Sequence, residues 1–213
     1  MVVQDMDFIF MERGCSTAVK SWLLEQFNHT VFLFKNREIR AKKGKGPKLT
    51  LYKIRANNVS RLPSESVRVF VVRDLANMTA AFMTFKSDKV RYDYKEYFVR
   101  YWTRVAESAL GRGVWSGEHN ILINVTDWFT SHDYRVGIVE QFASLGYKMN
   151  NCPDKGLKEF YSPCSSFNDW DQHKDATTLP ILDRWKQVDQ TELRRYWTPE
   201  AIALNDEIFG WTP

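Results

Sequence analysis

Short runs of apolar residues alternate along this chain with stretches in which apolar residues recur every three or four positions. The clearest run is Val67–Val72, VRVFVV, which is rich in β-branched residues and typical of a buried strand. Similar runs span residues 8–11, 29–34, 49–54 and 121–125. Because strands of this kind alternate with amphipathic helices, we predict an α/β fold of three layers, a mainly parallel central sheet flanked by helices.

The helical stretches lie between and after these strands. The last one has the clearest boundaries, with Thr198 as the N-cap, Pro199 at the first helical position and Gly210 as the stop. The helices that the spacing predicts run from Ser16 to about 27, then over 75–86, 93–110, 134–145, 182–188 and 199–209.

Length and composition favour one domain spanning residues 1–213. A hydrophobic content of 44% and an aromatic content of 15% provide a large core. No apolar run reaches the roughly 20 residues of a membrane-spanning helix, and no signal peptide is visible, so a cytoplasmic location is expected. Within the domain we expect a basic loop at 35–48, a late loop at 147–175 and C-terminal helices at 176–213.

The cysteines do not indicate a disulfide framework or a metal site. Cys15, Cys152 and Cys164 are three in number, and their spacing fits no zinc pattern. We therefore predict a protein of a reducing compartment.

A polar turn follows the first strand and leads into the first helix. Residues 12–17 contain Gly14, the fixed charge of Arg13 and the hydroxyls of Ser16 and Thr17. The unpaired N–H groups of a helix start and its dipole favour an anion, so the turn is a candidate phosphate-binding loop. The ATP-binding pattern GxxxxGK[ST] is absent. An ordinary strand-to-helix turn with a Ser/Thr cap explains the same residues.

Several other strand ends should lie at the same edge of the sheet. In a parallel sheet, ligands bind beyond the carboxyl ends of the strands. The segments that this rule brings together are 12–17, 53–55, 73–74 and 126–128, and three of them contain an arginine.

Positive charge is concentrated in residues 35–61. This block contains ten Lys or Arg and one acid, Glu38, although the net charge of the whole chain is only +4. Such a block can attract nucleic acid, an anionic surface or an anionic substrate. The alternative is a solvated, flexible loop, which suits the glycine-rich residues 41–48.

The order of these pieces resembles the PAPS-dependent sulfotransferases, which use 3′-phosphoadenosine 5′-phosphosulfate as donor. The resemblance covers about residues 7–210. The turn stands where the family binds the 5′-phosphosulfate in a loop such as PRSGST, although Cys15 occupies the family's glycine position. The resemblance implies a donor-binding set of Arg13, Gly14, Cys15, Ser16, Thr17 and Ala18.

A second likeness lies at the end of the predicted strand Val67–Val72. The family has VRDP there, and a serine eight residues after the arginine; both the arginine and the serine bind the 3′-phosphate. Here Arg73 and Asp74 match, but Ala81 takes the serine position and the nearest hydroxyl is Thr79. The resemblance implies that Arg73, Thr79 and Ala81 border the 3′-phosphate.

Two later segments are also similar to the family. Residues 122–128, followed by 136–146, look like its strand, acidic residue and helix ending in Leu-Gly. In the late loop, the resemblance implies that Ser165, Ser166 and Phe167 close over the nucleotide. The Arg184-Trp185 pair and residues 205–210 also resemble family segments.

The function implied by this resemblance is transfer of a sulfuryl group from PAPS to a hydroxyl or amine, with no metal required. Arg13 would act as an electrostatic clamp, because an arginine cannot donate its proton. A family Lys-Thr-His arrangement corresponds to Lys53, Ile54 and Arg55, and Arg55 cannot act as a base. The candidate bases are His29 and Glu38, with His29 ranked slightly ahead.

Two other functions stay open. One is a P-loop-type nucleotide or nucleoside kinase, and the other is a non-catalytic protein that binds an anion or nucleic acid through the 35–61 block. On the sulfotransferase interpretation the acceptor is a small molecule, a saccharide or a peptide, and the basic block favours an anionic one. A nucleic-acid or membrane partner is not expected.

Overall fold

The computed structural model describes residues 6–11, 16–35, 38–42, 46–55, 66–83, 93–155, 157 and 182–212. For residues 16, 17, 29–35, 38–42, 46–55 and 93–96 the description covers the backbone.

Six strands form one sheet in the described part of the chain. All neighbouring strands are parallel except β2 and β3, which form an antiparallel hairpin. Their order across the sheet is β3-β2-β4-β1-β5-β6. The strands are β1 (Met6–Phe10), β2 (His29–Lys35), β3 (Glu38–Lys42), β4 (Gly46–Arg55), β5 (Val67–Val72) and β6 (His119–Asn124). The predicted α/β fold with a mainly parallel sheet is thus confirmed.

Seven α-helices lie in the described residues, and they cover both faces of the sheet. Since side chains alternate along a strand, Phe8 packs with α1 and α5 while Ile9 packs with α2 and α3 on the opposite face. The helices are α1 (Ser16–Gln26), α2 (Leu75–Met83), α3 (Asp93–Ala109), α4 (Val125–Thr130), α5 (His132–Ser144), α6 (Gln190–Arg194) and α7 (Pro199–Phe209). This arrangement is the predicted three-layer architecture.

Side-chain caps decide several helix boundaries. The α7 boundaries agree with the prediction: Thr198 Oγ1 accepts from the Ala201 N–H at 3.2 Å, and Gly210 has φ 68°. The strand predicted to reach residue 125 ends one residue earlier, because Asn124 caps α4. With Ser131 as its cap, α5 begins at His132, two residues before the predicted start.

The segment predicted as a helix over 182–188 forms a shorter structure. It contains a 3₁₀ turn, Arg184–Gln187, followed by α6. The cap of α6 explains the break, since Asp189 accepts from the N–H groups of Thr191 and Glu192.

The basic segment 35–48, expected as a loop, contains regular structure. Residues Glu38–Lys42 form β3, and β4 begins at Gly46 instead of residue 49. β3 has a period of two, with Ile39 and Ala41 between charged residues, and it is an edge strand of the sheet. Lys and Arg on such a strand hinder pairing with another chain, which gives part of the basic block a structural role.

The early part of the late loop is anchored to the first helix. Met149 forms an isolated antiparallel bridge with Phe27, and the Trp22 indole N–H donates to the Pro153 carbonyl at 2.6 Å. Residues 158–181 lie outside the described residues.

No helix in the described ranges is both long and apolar enough to cross a lipid bilayer.

Candidate functional site

The carboxyl ends of β1 and β5 lie side by side near the centre of the sheet, and the chain leaves them toward opposite faces. After β1 it continues into α1, whose Trp22 packs in the same cluster as Phe8. After β5 it continues into α2, whose Leu75 packs with Ile9 on the other face. In open α/β sheets, ligands bind in the crevice where the topology switches in this way. The candidate site is therefore the carboxyl edge around β1 and β5.

The predicted turn over residues 12–17 falls between β1 and α1, and residues 12–15 lie outside the described residues. Met11 is buried, and α1 begins at Ser16. The 11-residue helix directs its first unpaired N–H groups toward the carboxyl edge. Ala18 is half-buried against the core, and the side chains of Ser16 and Thr17 are outside the description. The predicted turn residues that lie outside the described ones are Arg13, Gly14 and Cys15.

The end of β5 brings a buried arginine and a buried carboxylate to the same edge. Arg73 is 3% exposed, and its carbonyl accepts from the Trp102 indole N–H at 2.8 Å. Asp74, 1% exposed, caps α2: Oδ1 accepts from the Asn77 N–H at 2.8 Å and Oδ2 from Asn77 Nδ2 at 3.0 Å. Burial raises the pKa of Asp74, although the Arg73 charge and the Asn77 hydrogen bonds act in the opposite direction.

Thr79 and Ala81 lie further along α2, and both are buried. The Thr79 hydroxyl donates to the Leu75 carbonyl at 2.7 Å and accepts from the Trp197 indole N–H at 3.0 Å. It has thus used its proton and one lone pair in packing the helix. Ala81 has no polar side-chain group to offer, so of the three predicted 3′-phosphate residues only Arg73 carries a charge.

Two asparagines that the sequence did not single out join this edge to the C-terminal segment. Asn205 Oδ1 accepts from the Leu75 N–H at 2.8 Å, and its Nδ2 donates to the Trp211 carbonyl at 2.9 Å. Asn77 Nδ2 donates to the Leu182 carbonyl at 2.6 Å. One sequence signal could have found them, because each is a single amide side chain within an apolar helical stretch. Such an amide is buried only when it has a hydrogen-bond partner.

A third strand end completes the described part of the edge. Asn124, at the end of β6, accepts from the N–H groups of Thr126 and Asp127 and donates to the Ile208 carbonyl at 3.1 Å. Burial raises the pKa of Asp127. Tyr134 donates to the Leu122 carbonyl, and burial raises its pKa to about 12. Tyr134 is therefore neutral and structural.

The candidate bases lie at different ends of their strands. His29 pairs with Gly46 at the amino ends of β2 and β4, whereas Glu38 pairs with Lys35 at the carboxyl end of β2. Lys53 pairs with Phe8 in the middle of β1 and lies two residues before the end of β4. At about 3.3 Å per residue, His29 is roughly 30 Å along the strands from the end of β4. The register therefore places Glu38 and Lys53 closer than His29 to the carboxyl edge.

Three predicted nucleotide contacts lie outside the described residues: Ser165, Ser166 and Phe167. In the described part of the chain, no three His, Cys, Asp or Glu side chains come together as metal ligands. Comparisons of the chain with protein-family models, curated proteins and solved structures find no match.

Proposed function

We propose that this protein is a sulfotransferase that moves a sulfuryl group from PAPS to a hydroxyl or amine acceptor. The observation that carries the proposal is the pairing of two anion-attracting features on adjacent strands. The N-terminus of α1 follows β1, and Arg73 follows β5. PAPS requires two such features, one for its 5′-phosphosulfate and one for its separate 3′-phosphate.

In this proposal, Arg13, the first N–H groups of α1 and the Ser16 and Thr17 hydroxyls bind the phosphosulfate. Arg73 binds the 3′-phosphate. The acceptor oxygen or nitrogen attacks sulfur, the bond from sulfur to the bridging oxygen breaks, and adenosine 3′,5′-bisphosphate leaves. Positive groups that stabilise charge on the leaving oxygen account for most of the catalysis.

The general base takes the proton that the acceptor loses. The sheet register favours Glu38 over His29 for this role, because Glu38 pairs at the carboxyl end of β2 and His29 lies at the amino end of the same strand. We expect Glu38→Gln to lower turnover by about 10²-fold, the usual size of a base contribution. His29→Ala serves as the matched control and should leave turnover within about threefold. The reverse result would assign the base to His29.

A thermal-shift comparison of four ligands tests the proposal directly. Adenosine 3′,5′-bisphosphate at 100 times its dissociation constant should add about 2.7 kcal/mol of stability. AMP, which lacks the 3′-phosphate, is the matched control and should bind more weakly. Stabilisation by Mg-ATP without an effect of the bisphosphate would indicate a kinase. Stabilisation by an oligonucleotide alone would indicate a nucleic-acid-binding protein.

The role of Arg73 can be separated from its contribution to folding. Arg73→Lys keeps a positive charge at this buried position but loses the planar two-pronged donor of the guanidinium. The variant should weaken binding of the bisphosphate by about tenfold and binding of AMP by less than about twofold. If Arg73→Lys loses the same affinity for AMP as for the bisphosphate, Arg73 does not bind the 3′-phosphate.

The acceptor is to be identified with labelled donor and a panel of a phenol, a neutral saccharide, an acidic saccharide and an acidic peptide. If the basic block selects the acceptor, Arg40→Gln with Lys42→Gln on β3 should lower turnover of the acidic acceptors alone. If this variant turns over every acceptor as fast as the wild type does, the basic residues of β3 do not select the acceptor and β3 has only its role as an edge strand.

A further inference from the structure

A groove of about 570 Å³ lies between α3 and the turn that joins α6 to α7. This volume falls within the range of small-molecule sites, about 300–1,000 Å³. Its walls come from the middle of α3 on one side and from residues 195–200 on the other. None of its lining residues ends a strand, so the groove is distinct from the candidate site at the carboxyl edge.

Three arginines line this groove. Arg100 and Arg104 are one turn apart on α3, and both are exposed. Neither forms an ion pair with a carboxylate of the described residues, and like charges at this spacing destabilise a helix. Arg195 is held in place by an ion pair with Glu192 at 3.2 Å and lies 5.8 Å from the ring centre of Tyr196. Arg100 and Arg104 therefore give the α3 wall of the groove positive charge that an anionic ligand would neutralise.

A threonine of α3 also lines the groove. Thr103 is 7% exposed, and its hydroxyl forms no hydrogen bond within the described parts of the chain. The hydroxyl is therefore available to donate a hydrogen bond to a ligand in the groove.

The remaining walls indicate what the ligand carries besides its anionic group. Glu107 and Glu200 line the same groove, and their carboxylates accept hydrogen bonds from hydroxyl groups. Tyr196 and Trp197 provide aromatic surface, and the Trp197 ring is fixed by its N–H bond to Thr79 at 3.0 Å. Arginines for an anion, carboxylates for hydroxyls and aromatic rings for an apolar face together suit a charged sugar.

We propose that this groove binds a small hydroxylated anion, a monosaccharide that carries a phosphate, sulfate or carboxylate group. Arg100, Arg104 and Arg195 bind the anionic group, and the Thr103 hydroxyl donates a hydrogen bond to it. Glu107 and Glu200 accept from the sugar hydroxyls. The site does not depend on the nature of the ligand at the carboxyl edge.

Isothermal titration calorimetry at fixed ionic strength tests this site with four probes. The probes are glucose 6-phosphate, glucose 6-sulfate, glucuronate and neutral glucose, so the titrations also identify the anionic group. At least one of the anions should bind the wild-type chain with a dissociation constant of about 1 mM or lower, and glucose should bind more weakly.

Three variants locate the binding. Arg104→Gln should lower the affinity for the anion by about tenfold or more. Thr103→Val, which only replaces the hydroxyl, should lower it by about three- to tenfold. Arg194→Gln removes the same charge from an exposed residue outside the groove and should leave the affinity within about twofold. The urea midpoints of Arg104→Gln and Arg194→Gln should equal that of the wild type.

Any of four results would overturn the proposal. One is the absence of binding by all three anions, and another is glucose binding as tightly as they do. The third is an equal affinity loss in Arg104→Gln and Arg194→Gln, which would reveal general charge attraction in place of a groove site. The fourth is an unchanged affinity in Arg104→Gln, which would show that the anion binds elsewhere on the protein.

Discussion

Asn205 connects the start of α2 to the end of the chain through a single amide. Its Oδ1 accepts from the Leu75 N–H at 2.8 Å, and its Nδ2 donates to the Trp211 carbonyl at 2.9 Å. Asn205→Ala would leave the buried Leu75 N–H without a partner, which costs about 1–3 kcal/mol. We expect the free energy of unfolding from urea titration at pH 7 to fall by about 2 kcal/mol.

Gln141→Ala is the control for this measurement. Gln141 is exposed on α5, so its substitution should change the free energy of unfolding by less than about 0.5 kcal/mol. If the two variants lose the same stability, the Asn205 bonds contribute nothing beyond the average surface residue.

Asp154 gives a residue-scale prediction about pH. Burial acts to raise the pKa of Asp154, but the hydrogen bonds from Arg135, at 2.6 and 3.0 Å, and from His132, at 2.7 Å, lower it overall. A carboxylate whose pKa is lowered by folding stabilises the fold above its unfolded pKa of about 3.9. This contribution is lost as the pH falls through the folded pKa.

The measurement compares urea midpoints of the wild type and Asp154→Asn. The wild type should be more stable at pH 7, and the difference should shrink as the pH falls below about 4. Glu140→Gln changes an exposed residue of α5 outside this ion-pair cluster, so its urea midpoint should differ less from that of the wild type at every pH. A difference between wild type and Asp154→Asn that stays constant down to pH 2.5 or so would contradict the linkage.

At the scale of single elements, two glycines on helices should respond to alanine with opposite signs. Gly137 is inside α5 and Gly210 ends α7 with φ 68°; an added Cβ would contact nothing within 4 Å at either position. Gly137→Ala should stabilise by about 0.5–1 kcal/mol, because alanine has less backbone freedom to lose. Gly210→Ala should destabilise by about 1 kcal/mol, because its φ is unfavourable for an L-residue. Thermal unfolding of both variants checks this, and the same sign for both would contradict it.

Elements with local signals were predictable from the sequence. The bounds of β5 and α7 follow from a β-branched run and from a Thr-Pro start with a glycine stop. β3 was missed because its alternating pattern is short and is surrounded by lysines and glycines, which suggested a loop. α4 was missed because its cap, Asn124, is contiguous with a strand-like run and its partners include a carbonyl 84 positions away.

The candidate site was predictable only where neighbouring residues define it. The strand-helix junctions at Ser16 and Arg73 follow from hydrophobic runs that stop at polar residues. The order of the strands depends on the whole sheet. The distance between His29 and Glu38 along the strands could therefore not be predicted from their positions in the sequence. The α3 groove likewise combines two segments about 95 positions apart, and its α3 arginines alone look like a solvated helix face.

At the scale of the whole molecule, the two apolar clusters share the same strands. Leu23 of α1 packs on one face of β1 and β5, and Leu204 of α7 packs in the cluster on the other face. Neither cluster can lose its helices without exposing strands that the other one needs. We therefore expect one cooperative transition, with coincident urea midpoints from far-UV circular dichroism and from tryptophan fluorescence.

Leu23→Ala and Leu204→Ala test this coupling from the two faces. Each removes a buried side chain and should cost about 2–5 kcal/mol, with the smaller loss at Leu204, which is 7% exposed whereas Leu23 is fully buried. Because β1 and β5 serve both clusters, each variant should shift the dichroism and fluorescence midpoints by the same amount. A Leu204→Ala variant whose fluorescence midpoint falls while its dichroism midpoint stays constant would show that the C-terminal segment unfolds independently. In that case the bonds of Asn77 and Asn205 would be too weak to couple the segment to the sheet.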